Sequence, residues 1–483
     1  MAKILFLNPN KWGRGITHIW LASHAGLILK KHKIEFFDAT FYSDWALDEV
    51  NIQTLSKNYK KTNYDTYRKF SNKSIFKSLE TKIHKFQPDV IFWSAFSSHI
   101  HGEGEYVNIQ NGYDLLKNIE TGNILKITGG LQATSAPEII LSKMPKINYL
   151  ISGESEIILN NILDSIDKKE NFEKQDGLVF IKNGILKKNK RQKILKNLDH
   201  ISPYNYDIFD DSVFFRPYNG RVVRAVDYEL SRGCIYSCSY CVETIMQKYY
   251  GFTESSNKTG AINNFKNYLR SKSPEVIFQE IKNLVENKNI ELIRCQDTNF
   301  LTNDRNILKQ LSQMVENSNL NFKMYIETRP EGINMESIKL LKKLNVDGVG
   351  MGIELADSGF RENILHRYVS QKKTIDAFNL LKKNSIKRTA YNIIGLPGQN
   401  ESSIKDTIKF NRLLDPDNIT VAYYSPYYGT KSQIHGNEVG IFGDYESDVD
   451  SALRTKSKDS KLLPAEKLKY YKDNFVKFVK NGI

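Results

Sequence analysis

At 483 residues the chain exceeds one ordinary hydrophobic core, so two or three domains are expected, and its 40% apolar content is ample for packing them. Neither a collagenous nor a disordered composition is present. The net charge of +14 invites a nucleic-acid reading, but the lysine excess is scattered, so a solvated surface is the simpler account and nucleic acid is disfavoured; an acidic or phosphorylated substrate fits the same charge.

The N-terminus, Met1-Ala2-Lys3-Ile4-Leu5-Phe6-Leu7-Asn8-Pro9, has too short an apolar stretch for a signal peptide and reads as a first strand. No apolar run reaches membrane-spanning length, and the cytoplasm is the expected location. Residues 1–165 alternate strand-like segments (Lys3–Leu7, Ile34–Asp38, Val90–Ala95, Leu125–Thr128, Tyr149–Ser152) with segments of helical spacing such as Trp20–Lys31 and Lys73–Phe86. That alternation predicts an open, Rossmann-like parallel α/β sheet. Residues 48–72 are polar and irregular and receive no assignment. Residues 166–223 read as a linker with a small hairpin, Leu178–Leu186, turning at Asn183-Gly184 beside the densest basic patch, Lys187-Lys188-Asn189-Lys190-Arg191.

From 224 to 430 the alternation returns. Strands are expected at Val226–Leu230, Ile290–Arg294, Phe322–Glu327, Gly348–Ile353, Arg388–Ile394 and Thr420–Tyr424, with helices between them. Ser273-Pro274-Glu275 is a helix start, combining a capping side chain, a first-turn proline and an acid at the positive end of the dipole. Six strand–helix repeats predict a partial (β/α)6 barrel whose chemistry lies at the C-terminal ends of its strands. Residues 431–483 form a loop-rich extension with a final amphipathic helix, Pro464–Val479.

Three of the four cysteines, Cys234, Cys238 and Cys241, lie within eight residues on the loop after the first of these strands. Such clustering suits a metal site in a reduced compartment better than a disulfide framework. Three soft thiolates at this spacing can hold three corners of a [4Fe–4S] cube and leave the fourth iron open. A structural zinc site is the alternative, but zinc usually needs four closed ligands, and the remaining Cys295 stands far along the chain. Cys295 reads as a small buried hydrophobe.

The Cys-x3-Cys-x2-Cys spacing, with Tyr240 before the last cysteine, resembles the signature of the radical S-adenosylmethionine (SAM) superfamily. Further elements fall in that family's order. Gly352-Ile353-Glu354 resembles its "GIE" element, and Asn392-Ile393-Ile394-Gly395-Leu396-Pro397-Gly398 its "IIGLPGE" element, with Gln399 in place of the usual acid. Ser425-Pro426-Tyr427-Tyr428-Gly429-Thr430 resembles "PYPGT". The resemblance implies a [4Fe–4S] cluster on Cys234, Cys238 and Cys241, Tyr240 beside the adenine, Glu354 on the polar atoms of SAM, and Asn392, Gly395 and Pro397 along the cofactor. Each short element alone also reads as an ordinary turn. Asp297, Glu327 and Arg329, at strand ends, either line the substrate or SAM pocket or are solvated or ion-paired loop residues. The stretch 244–271 is long for such a loop and either folds over the cluster or is a surface excursion.

The N-terminal domain resembles the cobalamin-binding domain of one radical SAM subgroup, through Ser94-Ala95-Phe96, Gly129-Gly130 and Gly153-Glu154-Ser155-Glu156. That resemblance implies cobalamin contacts from Ser94, Gly129, Gly130 and Glu154, although the Asp-x-His-x-x-Gly motif is absent and His99 and His101 follow the wrong strand. Plain strand-to-helix turns need the same glycines. The family implies reductive SAM cleavage, methyl transfer to an unactivated carbon of a small-molecule or biosynthetic-intermediate substrate, and an electron donor such as flavodoxin or ferredoxin. Radical cyclisation, rearrangement or oxidation is the second reading. A non-catalytic iron–sulfur or nucleic-acid-binding protein is the third.

Overall fold

Strand β1 (Lys3–Asn8) is buried at all but its first residue, as a parallel strand covered on both faces must be. It pairs in parallel with β2 (Lys33–Asp38) and β3 (Val90–Trp93), and β4 (Leu125–Thr128) and β5 (Tyr149–Ile151) continue the parallel sheet. The computed structural model describes residues 1–47, 60–94, 103–257, 259–424, 427–432 and 462–482, the side chains of 103–108 excepted. Two compact units result, Met1–Asp227 and Tyr228–Ile483.

In the first unit the hairpin expected within a linker is instead part of the N-terminal sheet. Its strands β6 (Leu178–Lys182) and β7 (Ile185–Lys188) add antiparallel to β5, giving the order β2-β1-β3-β4-β5-β6-β7. Leu178, Val179 and Phe180 are buried apolar residues that need this cover, while exposed lysines on β7 blunt the open edge. The chain reverses its strand order between β1 and β3, and in open α/β sheets such a switch point makes a crevice beyond the strand ends. A further hairpin, β8 (Phe215–Tyr218) and β9 (Arg221–Tyr228), closes this unit, so the strand expected at Val226–Leu230 begins earlier and ends at Tyr228.

The second unit opens with a short antiparallel ribbon, β10 (Ser231–Arg232) against β11 (Arg270–Ser271). Five parallel strands follow, each bonded to the next in chain order: β12 (Leu292–Cys295), β13 (Lys323–Thr328), β14 (Val346–Glu354), β15 (Lys387–Ile394) and β16 (Asn418–Tyr423). With β9 and β8 they form a seven-stranded half-barrel sheet of order β16-β15-β14-β13-β12-β9-β8, in which β9 is the expected first strand. The intervening helices start where a polar side chain caps them: Ser273 accepts from Val276 N, Asp304 from Asn306 N, Asn334 from Ser337 N, Ser370 from Lys373 N and Asn400 from Ser403 N. Among the described residues, no helix is long and apolar enough to cross a membrane.

The C-terminal helix Ala465–Asn481 buries Leu468, Tyr471, Phe475 and Val479 against Ile394, Ile404, Ile408, Val421 and Tyr423. Arg412 Nε donates to the carbonyl of Val479 at 2.9 Å and satisfies its C-terminal end. At the other end Glu401 accepts from Tyr471 Oη at 2.5 Å and pairs with Lys467 and Lys405. The bonds from Lys467, Tyr471 and Lys405 pull the Glu401 carboxyl down from 4.5 to about 2. Its folded pKa is depressed, so its contribution is present above pH 4.5 and lost as pH falls toward 2. Glu401→Gln is therefore expected to lower stability above pH 5 and to converge with the parent as pH falls toward 2, which flattens the acid limb, read as urea midpoints against pH.

Candidate active site

The cysteine loop is fastened before it begins. Asp297, 1% exposed, accepts from Leu230 N at 2.9 Å, from Ser231 Oγ, from Asn303 Nδ2 at 3.0 Å and from Cys295 Sγ at 2.8 Å. Burial pushes its carboxyl up, and these four bonds act against that. Asp297 is thus neither pocket lining nor a solvated loop residue but the hub that ties the end of β12 to the strand exit before the cysteines. Cys295 is buried beside it, and burial followed by the Asp297 charge raises its thiol well above the ordinary range. Buried Glu229 and Arg232 pair at 2.9 Å. Gly233 then turns the chain at φ +97°, where a Cβ would meet Tyr268 O at 2.7 Å.

Cys234 and Cys238 are buried and Cys241 is half-buried. Gln247 Nε2 donates to the carbonyls of Cys234 at 3.0 Å and Tyr236 at 2.9 Å, and Cys241 N closes a turn onto Cys238 O at 3.0 Å. The long 244–271 stretch folds onto this loop: Ser237 N donates to Gly260 O at 2.7 Å and Ile262 N to Ile235 O at 2.8 Å. Ser239 donates to Ile364 O at 2.6 Å and meets Ser432 Oγ at 2.8 Å. Burial, then the charge of Glu243, pushes the Cys234 thiol up to about 12, and burial with neighbouring Cys238 raises Cys241 well above its usual range. Thiols so placed gain from a cationic centre that carries the thiolate charge.

Among the described residues, no three His, Cys, Asp or Glu side chains converge on a single ion position.

Two of the motif elements meet directly. Tyr240 Oη donates to Glu354 Oε1 at 2.8 Å, and burial together with the Glu354 charge holds the phenol well above its usual range. Glu354 sits at φ +61°, at a register shift between β14 and β15. A Cβ on Gly352 would lie 2.1 Å from Glu354 Oε1, so the glycine lets the carboxylate fold back. Arg367, 4% exposed, donates through Nη2 to Gly352 O at 2.5 Å and lies 3.8 Å from Glu354. Burial works against its charge, but Tyr240, Glu354 and Cys238 together keep it fully cationic, and its Nε is buried without a partner. Tyr240 also packs on Leu355, Leu365, Leu396 and Tyr424, an apolar wall beside a charged cluster.

The "IIGLPGE"-like element divides. Gly395, at φ +82°, and Leu396 donate their N–H groups to Gln399 Oε1 at 2.7 and 3.3 Å, so an amide does the loop-holding that an acid would do; Pro397 is buried within that loop. Asn392 departs from its expected cofactor contact. Its amide pairs reciprocally with Asn411, at 3.1 and 2.7 Å, and faces the helix Glu401–Leu414. Side chains alternate along a strand, and Tyr391 takes the opposite face. There Tyr391 Oη meets Tyr325 Oη at 2.8 Å and Glu327 Oε1 at 3.1 Å, which places Glu327 in a phenol–carboxylate relay. In the "PYPGT"-like segment Ser425 and Pro426 lie outside the described residues, and Thr430 Oγ1 donates to Tyr427 O at 2.8 Å.

In the first unit, Ser94 is buried at φ +57° and its carbonyl accepts from Gly129 N at 2.9 Å. Gly129 caps the helix Gly130–Ser135, with Gly130 at φ +92°. Glu154 is buried, and its carbonyl accepts from Gln192 Nε2 at 2.8 Å. Ser155 and Glu156 are turned inward, to His24 Nε2 and Ser23 Oγ, both at 2.9 Å. The strand ends at Ser94, Gly129 and Gly153 thus carry small residues, Ser94 and Gly153 at positive φ. Ala95, Phe96, His99 and His101 lie outside the described residues.

Residues 228–410, which carry the cysteine loop, β12 to β15 and Glu354, match the radical SAM superfamily. An uncharacterised methyltransferase of Pyrococcus horikoshii is 24% identical over 74% of this chain and 71% of its own. The anaerobic magnesium-protoporphyrin IX monomethyl ester cyclase of Rubrivivax gelatinosus is 21% identical over 92% of this chain and 72% of its own. The fold matches the radical S-adenosylmethionine methyltransferase TsrM of Kitasatospora setae, solved with cobalamin and a [4Fe–4S] cluster, with TM-score 0.66 and 13% identity over 91% of this chain and 78% of that one.

Proposed function

We propose that the chain is a cobalamin-dependent radical SAM enzyme that transfers a methyl group to an unactivated carbon. The observation that carries the SAM site is the Tyr240–Glu354 bond at 2.8 Å, which joins the cysteine loop to the end of β14. The residues present fit the cofactors: three buried or half-buried cysteines for three irons, and an acid and an arginine side by side for a zwitterion. Glu354 would accept the SAM ammonium, Arg367 would hold the carboxylate through its unpartnered Nε, and Tyr240 with Leu396 would flank the adenine. When bound, the cluster would supply the electron that cleaves SAM and cobalamin would supply the methyl group. The chain's own part is to bind, orient and exclude water, and burial around Cys234 and Cys238 serves the last of these.

The first unit supports cobalamin through its small-residue crevice at Ser94, Gly129 and Gly130 and through the TsrM-like fold. The cyclase relative, matched over 92% of this chain, keeps radical ring closure without methyl transfer as the second reading. Protein purified without oxygen from cobalamin-fed cells, then reconstituted with iron and sulfide, separates the two. Bound cobalamin beside a [4Fe–4S] signal that changes on SAM addition is the expected result. A SAM-responsive cluster without cobalamin overturns methyl transfer, and no cluster overturns the whole reading.

A further inference from the structure

The three cysteine sulfurs are not served alike. Cys234 Sγ accepts from the backbone N–H of Tyr236 at 3.4 Å, and Cys241 from the backbone N–H of Glu243. Cys238 Sγ instead accepts from a charged side chain, Arg329 Nη1, at 3.6 Å. Arg329 is 6% exposed and its guanidinium lies 3.7 Å over the ring of Tyr236, on the cysteine loop itself. Its Nε donates to Glu331 Oε1 at 3.0 Å, Nη2 reaches the same oxygen, and Glu331 Oε2 is buried without a partner. A buried cation therefore touches one cluster thiol, and an acid two residues on offsets it from behind.

We infer that Arg329 and Glu331 are an opposed pair of positioning residues that set the reduction potential of the cluster, an inference that rests on the cluster reading above. A cluster held by three thiolates becomes more negative by one charge when it takes one electron from an external low-potential donor, which is oxidised by one. Positive charge and N–H···S donation at Cys238 favour that reduced form, and negative charge at Glu331 disfavours it. Arg329 is buried and Glu331 half-buried, their side chains 8% and 26% exposed, so screening is reduced, less for the acid than for the cation, and both effects reach the cluster. The backbone donors to Cys234 and Cys241 survive side-chain replacement, so Arg329 is the adjustable donor of the three.

The test is a redox titration of the reconstituted full-length protein, followed by electron paramagnetic resonance without SAM, which reads the cluster apart from turnover. Arg329→Gln is expected to lower the equilibrium constant for reduction at least tenfold, about 59 mV for one electron. Glu331→Gln is expected to raise it at least threefold, and Arg329→Lys to stay within threefold of the parent. Opposite signs for the two glutamine variants support the pair, because a merely structural role would not reverse sign. Shifts in the same direction, or under twofold in both, with an intact cluster spectrum overturn the inference while leaving the cluster reading standing. Should Arg329→Gln fail to take up iron, Glu331→Gln decides alone: a rise supports the pair and no change overturns it. A parent protein that forms no cluster overturns both.

Discussion

Cys238→Ala is expected to reduce 5′-deoxyadenosine formation from SAM at least a thousandfold while the chain stays folded. Cys238 is the middle of the three proposed ligands, 7% exposed, and it alone among the three thiols contacts the Arg329 guanidinium. Losing it removes one of three anchors and also leaves the Arg329 cation without its sulfur partner. The fold has less at stake: deleting one buried sulfur costs about 1 kcal/mol, small against domain stability. Cys295→Ala is the matching control. Its thiol is 1% exposed and bonded to Asp297 at 2.8 Å, so the variant should keep both the cluster absorption and the nucleoside product. Chromatography of anaerobic SAM reactions reads both. Product surviving in Cys238→Ala, or vanishing in Cys295→Ala, would reverse the assignment of the two cysteine classes.

What the sequence reveals here depends on whether a signal is local. Cys234, Cys238 and Cys241 stand in one short run of rare residues, so their spacing alone exposes them, whereas Tyr240 is singled out only by the family resemblance. Glu354 could be paired with that run only through family order, yet the fold brings it to 2.8 Å from Tyr240. Asn392 shows the reverse failure. Its motif position is right, but strand alternation turns its amide to Asn411, and a motif carries no information about which face is inside. Arg367 was invisible because it lies in an unremarkable loop and is carried to Gly352 and Glu354 only by the turn after β14. Gln399 explains why an acid is dispensable: two backbone N–H groups need only an oxygen acceptor, and an amide provides one. The hairpin at Leu178–Lys188 looked like a linker because its outer half is basic. Its inner half, Leu178 to Phe180, is what the N-terminal sheet buries.

Asp297→Ala should be the most damaging change outside the cysteines, costing about 3–5 kcal/mol, in the range of a broken buried network. The carboxylate accepts four donors, and the Leu230 N–H has no means of turning elsewhere, so truncation leaves it orphaned at about 1–3 kcal/mol. Ser231 and Cys295 can reorient, and Asn303 keeps a bond to Phe300 O at 3.1 Å, which is why the four losses do not simply add. Asp297→Asn should cost about 1–2 kcal/mol, because one oxygen still serves Leu230 and the rotatable Ser231 hydroxyl can turn to accept from the new amide. It also removes the burial penalty on the charge, the largest influence on this carboxyl. Urea unfolding curves should rank parent, Asn and Ala in that order, and iron uptake should follow the same ranking, since Leu230 and Ser231 aim the chain into Gly233 and Cys234. If the alanine variant unfolded with the parent but lost SAM binding, Asp297 would belong to the pocket after all. Its four internal partners and 1% exposure argue that its oxygens are already spent on holding the cysteine loop.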